Sequence, residues 1–190
     1  MTTIAVVRKG GFAAIASDTL TRCGSVMESA RYVVNHRKIV PVGEYFVAIT
    51  GTTSLKLAVS EHFQSLPEPA PLGTVVDIFR TWLVLHEALK DRYGLNCNEG
   101  DDDAVESTRL DALLAGPHGI FGVGRDRTVQ EFTRFAAYGG GRDLALGAMY
   151  AVYDLPDRSA EDIARTAVEA AAEFDAGTGL PVLSHSVALK

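Results

Sequence analysis

Two blocks of short apolar segments, residues 3–50 and 110–135, each run into a pair of amphipathic stretches, and one more apolar segment, 180–189, ends the chain. This order constrains the fold more than any other feature. Strands gathered in blocks must bury two faces, and the helix pairs between them are the available cover. The expected class is α+β: a four-layer αββα sandwich, two antiparallel sheets between helix pairs.

Residues 3–8 and 11–17 read as strands that turn at Lys9-Gly10-Gly11. Residues 19–24 read as a short strand or loop, and 29–35 carry no period. Ile39 to Val42 and Tyr45 to Thr50 make a second hairpin, turning at Gly43-Glu44. A helix follows Gly51, with Leu55, Val59, Phe63 and Leu66 near one face, and Pro67, Pro69 and Pro71 end it. The next helix runs from about Thr74 to Tyr93 with a stripe of Val75, Phe79, Leu83, His86 and Leu89, stopping at Gly94. Residues 110–115, 119–123 and 129–135 read as strands. Tyr138-Gly139-Gly140-Gly141-Arg142 opens a third helix with Ala145, Met149 and Val152 inward and Pro156 after it. Ser159 caps a fourth, with Asp162 completing the box, and Ile163, Ala167, Ala170, Ala171 and Phe174 form its buried face.

At 190 residues the chain is long enough for one large domain, residues 1–190, with a real core. No apolar run reaches the length of a membrane span, and no positive leader precedes the first strand, which argues against membrane and secretory readings. Cys23 and Cys97 are too few for a CxxC zinc site, and the expected compartment is the cytoplasm. The net charge of −6 without a basic block argues against nucleic acid, which needs concentrated positive charge. The run Asn96–Thr108 carries Glu99, Asp101, Asp102, Asp103 and Glu106, oxygen donors of the kind calcium and magnesium take. It lacks EF-hand spacing and reads as a solvated loop. The five histidines show no metal-ligand spacing, and no Gly-x-Ser-x-Gly elbow is present.

The chemistry sits at the start: Met1-Thr2-Thr3-Ile4-Ala5-Val6-Val7. If Met1 is removed, Thr2 carries a hydroxyl and a free α-amine on adjacent carbons. That is a nucleophile and its base in one residue. A free α-amine has a pKa of roughly 7.7–8.0, close to what a base needs at neutral pH.

Thr2-Thr3-Ile4 is followed by Ala16-Ser17-Asp18, then Arg37-Lys38-Ile39, then Ala48-Ile49-Thr50-Gly51. This succession resembles the proteasome β-subunit and HslV family of N-terminal nucleophile hydrolases, most closely its bacterial proteasome-homologue branch. The resemblance covers most of the chain and implies the same αββα layers. It implies Thr2 as nucleophile, with Asp18 and Lys38 as helpers. A lysine there lowers the amine pKa and stabilises an alkoxide forming on the hydroxyl, and Asp18 holds it charged and oriented. Gly51 corresponds to the glycine whose N–H receives the oxyanion, where the absence of Cβ lets the substrate approach. Thr21, Ile49 and Thr53 fall at substrate-binding positions, Ile49 under the substrate side chain, where it favours apolar groups.

Two more family motifs lie in the second half. A Gly-Ser-Gly turn opens the third helix in the family; here it reads Gly139-Gly140-Gly141, so Gly140 replaces the serine and its hydroxyl is missing. Asp-x-x-Ser-Gly reads Asp175-Ala176-Gly177-Thr178-Gly179, with Thr178 supplying the hydroxyl. The activity implied is threonine-type peptidase, acting on peptides or unfolded protein within a homo-oligomer, two stacked rings of seven, with no cofactor and no metal. An ATPase partner is not indicated by the residues. The rival expectations are a small-molecule amidohydrolase on the same fold and a silent ring scaffold that keeps Met1.

Overall fold

The structure, a computed structural model, describes residues 2–97 and 105–190. Met1, and Glu99 with Asp101, Asp102 and Asp103 of the solvated-loop reading, lie outside the described residues.

β1 (Thr3–Lys9) and β2 (Phe12–Ser17) form a hairpin, and β3 (Thr21–Cys23) pairs with β4 (Val26–Glu28) as a small ribbon. β5 (Ile39–Val42) and β6 (Tyr45–Ile49) precede α1 (Thr53–Ser65) and α2 (Val75–Asp91). β7 (Ala112–Gly116), β8 (Gly119–Val123), β9 (Val129–Phe132) and β10 (Phe135–Gly139) lead into α3 (Arg142–Val152), α4 (Ala160–Phe174) and β11 (Leu183–Ala188). Four strands make one sheet in the order β10-β1-β2-β11, and five make the other in the order β5-β6-β7-β8-β9. Every pairing within them is antiparallel.

Period-two alternation sorts the side chains into three apolar layers. Ile4, Val6, Ala13 and Ile15 of one sheet meet Ile39, Ala48, Leu113 and Ile120 of the other. Their neighbours Ala5, Val7, Ala14 and Ala16 point the opposite way, onto Ala145, Ile163, Ala164 and Ala167 of α3 and α4. Val47, Ile49, Leu114 and Phe121 face Val59, Phe63, Ile78 and Trp82 of α1 and α2. Each sheet is thus covered on both faces. This explains why residues 3–7 are buried without a polar break. The alanines between β1, β2 and α4 let helix and sheet approach closely, where many small dispersion contacts add up. Thr52, Thr74 and Ser159 cap α1, α2 and α4, the last with the reciprocal Asp162 bond.

Three expectations need correction. In α2 the buried stripe is Ile78, Trp82, Leu85, His86 and Leu89, while Phe79 and Leu83 are 43% and 40% exposed. Two apolar stripes share that helix, and the larger Trp82, against Phe63, takes the core. Phe174, expected inside, is 76% exposed at the end of α4. Residues 129–135 are not one strand. β9 closes the five-stranded sheet, and β10 crosses to pair with β1 in the other.

Candidate active site

The ends of several strands meet at one edge of the sandwich. Thr3 pairs with Gly139, Ile4 with Ser17, and Ile39 with Ala48. Asp18 directly follows β2, Lys38 directly precedes β5, and the glycine turn 139–141 follows the core of β10. Chain-distant residues are therefore brought together by register alone.

Asp18 is fully buried. Its Oδ1 accepts from Lys38 Nζ at 2.8 Å and from Thr3 N–H at 3.1 Å. Its Oδ2 accepts from Leu20 N–H at 3.0 Å and Gly179 N–H at 3.2 Å. A buried carboxylate with four donors is well compensated. Lys38 is also buried and donates a second bond to the Leu20 carbonyl at 2.7 Å. Burial pushes the Lys38 pKa below the usual lysine value, and the Asp18 carboxylate pulls against that shift.

Thr2 is buried beside them. Its carbonyl accepts from Gly140 N–H at 2.9 Å. Gly139 permits that bond: its φ is +101°, and a Cβ there would lie 1.8 Å from the Thr2 carbonyl oxygen. Thr2, Lys38, Gly51, Thr21, Ile49 and Thr53 all line one cavity of about 220 Å³. On its other side Thr2 borders a second cleft with Gly140, Asp111 and Tyr138. Gly51 is exposed, has φ +107°, and no described residue accepts from its N–H. A donor so placed can receive an oxyanion.

Asp175 and Thr178 stand behind this edge. Thr178 Oγ1 donates to Asp175 Oδ2 at 2.6 Å, and Thr3 Oγ1 lies 2.6 Å from Thr178 Oγ1. Gly141 N–H donates to Thr3 Oγ1 at 3.1 Å. Because Thr178 spends its proton on the carboxylate, Thr3 must donate to Thr178. The chain of donors therefore runs Gly141, Thr3, Thr178, Asp175. It ends on the Asp175 carboxylate and passes through Thr3, whose backbone N–H is held separately by Asp18. Thr3 was not among the sequence candidates; the doubled threonine at 2–3 was its only signal. Arg22 and Lys56 also line the cavity and were not singled out either.

One cluster outside the cavity has metal-ligand chemistry. Donor atoms of His86, Cys97 and Glu106 lie within 4.8 Å of one another. Lys90 Nζ lies 2.6 Å from Glu106 Oε2, and His86 Nε2 3.1 Å from the same oxygen. The ammonium already neutralises the one carboxylate, so an ion-pair network accounts for the grouping. Among the described residues, no helix is long and apolar enough to cross a membrane.

No family model matches the chain. Solved structures do. The Thiobacillus denitrificans BPH is 52% identical with a TM-score of 0.95, covering 100% of this chain and 99% of that one. The same protein in complex with epoxomicin matches at 51% identity and a TM-score of 0.94 over 100% of both chains. HslV of Trypanosoma brucei matches at 17% identity and a TM-score of 0.68, over 98% of this chain and 99% of that one, which speaks for the fold alone. With half its residues identical over the whole length of BPH, and with the two-sheet, four-helix N-terminal nucleophile hydrolase fold, the chain belongs to the family of the bacterial proteasome homologue BPH.

Proposed function

We propose that the chain is a threonine-type peptidase whose nucleophile is Thr2 once Met1 has been removed. One observation carries the reading: Thr2 borders a cavity beside a buried lysine that Asp18 holds in place. The free amine takes the proton from Thr2 Oγ1 as that oxygen attacks the substrate carbonyl. The oxyanion forms against Gly51 N–H, and the Lys38 charge stabilises the negative charge that develops. The amine then passes its proton to the leaving nitrogen, the peptide bond breaks, and an ester remains on Thr2. Water, deprotonated by the same amine, hydrolyses the ester and frees the enzyme.

Thr21, Ile49 and Thr53 act as the substrate wall. Asp175 and Thr178 act through Thr3 to hold the nucleophile. Gly140 contributes its N–H to the Thr2 carbonyl but no hydroxyl, which leaves that service to water. Support also comes from the relative solved in complex with epoxomicin, a proteasome inhibitor. Phe79 and Leu83 on α2, Tyr150 on α3 and Phe174 on α4 are exposed apolar side chains of the kind that subunit contacts cover. They support a homo-oligomer, and the proposal is a cytoplasmic double ring that takes peptides or unfolded protein.

The test is hydrolysis of a fluorogenic peptide library by Met1-free protein, with Thr2→Ala as control. The expected result is turnover that Thr2→Ala lowers to background while the particle size in light scattering is unchanged. Turnover that survives Thr2→Ala would overturn the assignment.

A further inference from the structure

The cavity beside Thr2 carries more positive charge than the peptidase reading uses. Thr2 and Gly51, the nucleophile and oxyanion donor of that reading, line this cavity together with the substrate wall Thr21, Ile49 and Thr53, so a substrate residue held there has its side chain beside these groups. Among the described residues its lining contains three cations, Arg22, Lys38 and Lys56, and no carboxylate. Asp18, which neutralises Lys38, has both oxygens occupied by internal donors.

Among the described residues the other two cations have no acid partner. Lys56 lies in the first half of α1, half-buried, and its Nζ donates to the Asn35 carbonyl at 2.6 Å. An ammonium has three donors, and that carbonyl is the one partner described for it. Burial, and then the Lys38 charge, push the Lys56 pKa down. Arg22 donates to the Ala176 carbonyl at 3.0 Å, and its buried Nε has no partner among the described residues. One guanidinium and one ammonium, each bonded to a single carbonyl, leave a positive pocket that lacks an anion among the described residues.

We infer that this cavity selects a glutamate or aspartate side chain at the residue whose carbonyl Thr2 attacks, and that Lys56 reads its charge. The inference rests on the peptidase reading. It departs from the apolar preference expected of Ile49, which forms only part of the wall. A charge-assisted bond made in the cavity, and lost with a neutral isostere, discriminates more sharply than apolar contact does.

The test compares three peptide substrates that differ only in that residue: glutamate, its neutral isostere glutamine, and leucine. Met1-free protein should show kcat/KM for glutamate at least about tenfold above both others. Lys56→Met should remove the glutamate-over-glutamine advantage, and Lys56→Arg should keep it. A leucine preference in the unaltered protein, or a ratio untouched by Lys56→Met, overturns the inference and leaves the peptidase reading standing. If none of the peptides is cleaved, the peptidase reading fails, and binding decides the pocket. Calorimetry with acetylated tripeptides ending in glutamate or glutamine then applies. Tighter glutamate binding that Lys56→Met abolishes upholds the pocket; equal binding overturns it.

Discussion

Lys38→Ala protein should lose peptide hydrolysis by on the order of 10³-fold or more in kcat, with KM little changed. The Lys38 charge acts on the negative charge that develops during attack, not on the bound substrate, so the loss belongs to the chemical step. The substitution has a second cost. Asp18 would keep its backbone donors Thr3, Leu20 and Gly179 but lose the one cation that pairs with it among the described residues. Leaving one partner of a buried pair alone costs about 3–5 kcal/mol, so urea denaturation should show a matching loss. Kinetics are therefore read at low urea-free temperature, with light scattering to show that the particle persists.

The unaltered protein supplies a check of the same residue. Burial places the Lys38 pKa below its ordinary value. Activity should rise through the pKa of the Thr2 amine and fall again, on the alkaline side, before the usual lysine range near about 10.4. Stability should move the other way on that limb. The unfolded chain holds its Lys38 proton to higher pH than the folded one, so stability rises with pH between the two values. An active Lys38→Ala protein would refute the role assigned to this charge.

Gly139→Ala should be the next most damaging change. The added methyl would sit 1.8 Å from the Thr2 carbonyl oxygen, on backbone at φ +101°. Nothing there is a flexible side chain that can step aside. The Thr2–Thr3 peptide must shift instead, and the Gly140 bond to the Thr2 carbonyl must lengthen or break. Displacing a reacting atom by about 1 Å costs roughly 10²-fold in rate, and that is the expected loss in kcat. Gly147→Ala is the matched control. It lies within α3, and a Cβ there meets nothing within 4 Å. It should leave kcat intact and stabilise the helix by about 0.5–1 kcal/mol in thermal unfolding. Equal activity of the two variants would show that the glycine turn does not position Thr2.

What the sequence made legible follows from how each residue is fixed. The sheet-and-helix layering was readable because strand blocks and proline-terminated helices are local patterns. The inner face of α2 was not, since Phe79 and Leu83 compete with Ile78, Trp82 and Leu85 at the same spacing, and only packing against α1 decides between them. The break between β9 and β10 was hidden because the two residues between them, Thr133 and Arg134, carry no turn signal. Asp18 and Lys38 were found through motif resemblance, while their mutual contact is a product of register. Thr3 was passed over because a buried strand threonine looks structural until its partners Thr178 and Gly141, 175 and 138 residues away, are placed beside it. Lys56 reads as an ordinary helix-surface lysine, and only the tertiary fold brings the Asn35 carbonyl to its ammonium.

The central claim is that the base is the free amine of Thr2. Protein can be separated into Met1-bearing and Met1-free fractions, each identified by intact mass, and assayed side by side with one peptide. In the Met1-bearing form the Thr2 nitrogen is an amide, which cannot take a proton from the hydroxyl. The account predicts turnover in proportion to the Met1-free fraction and none from the Met1-bearing fraction. Equal turnover from both would contradict it.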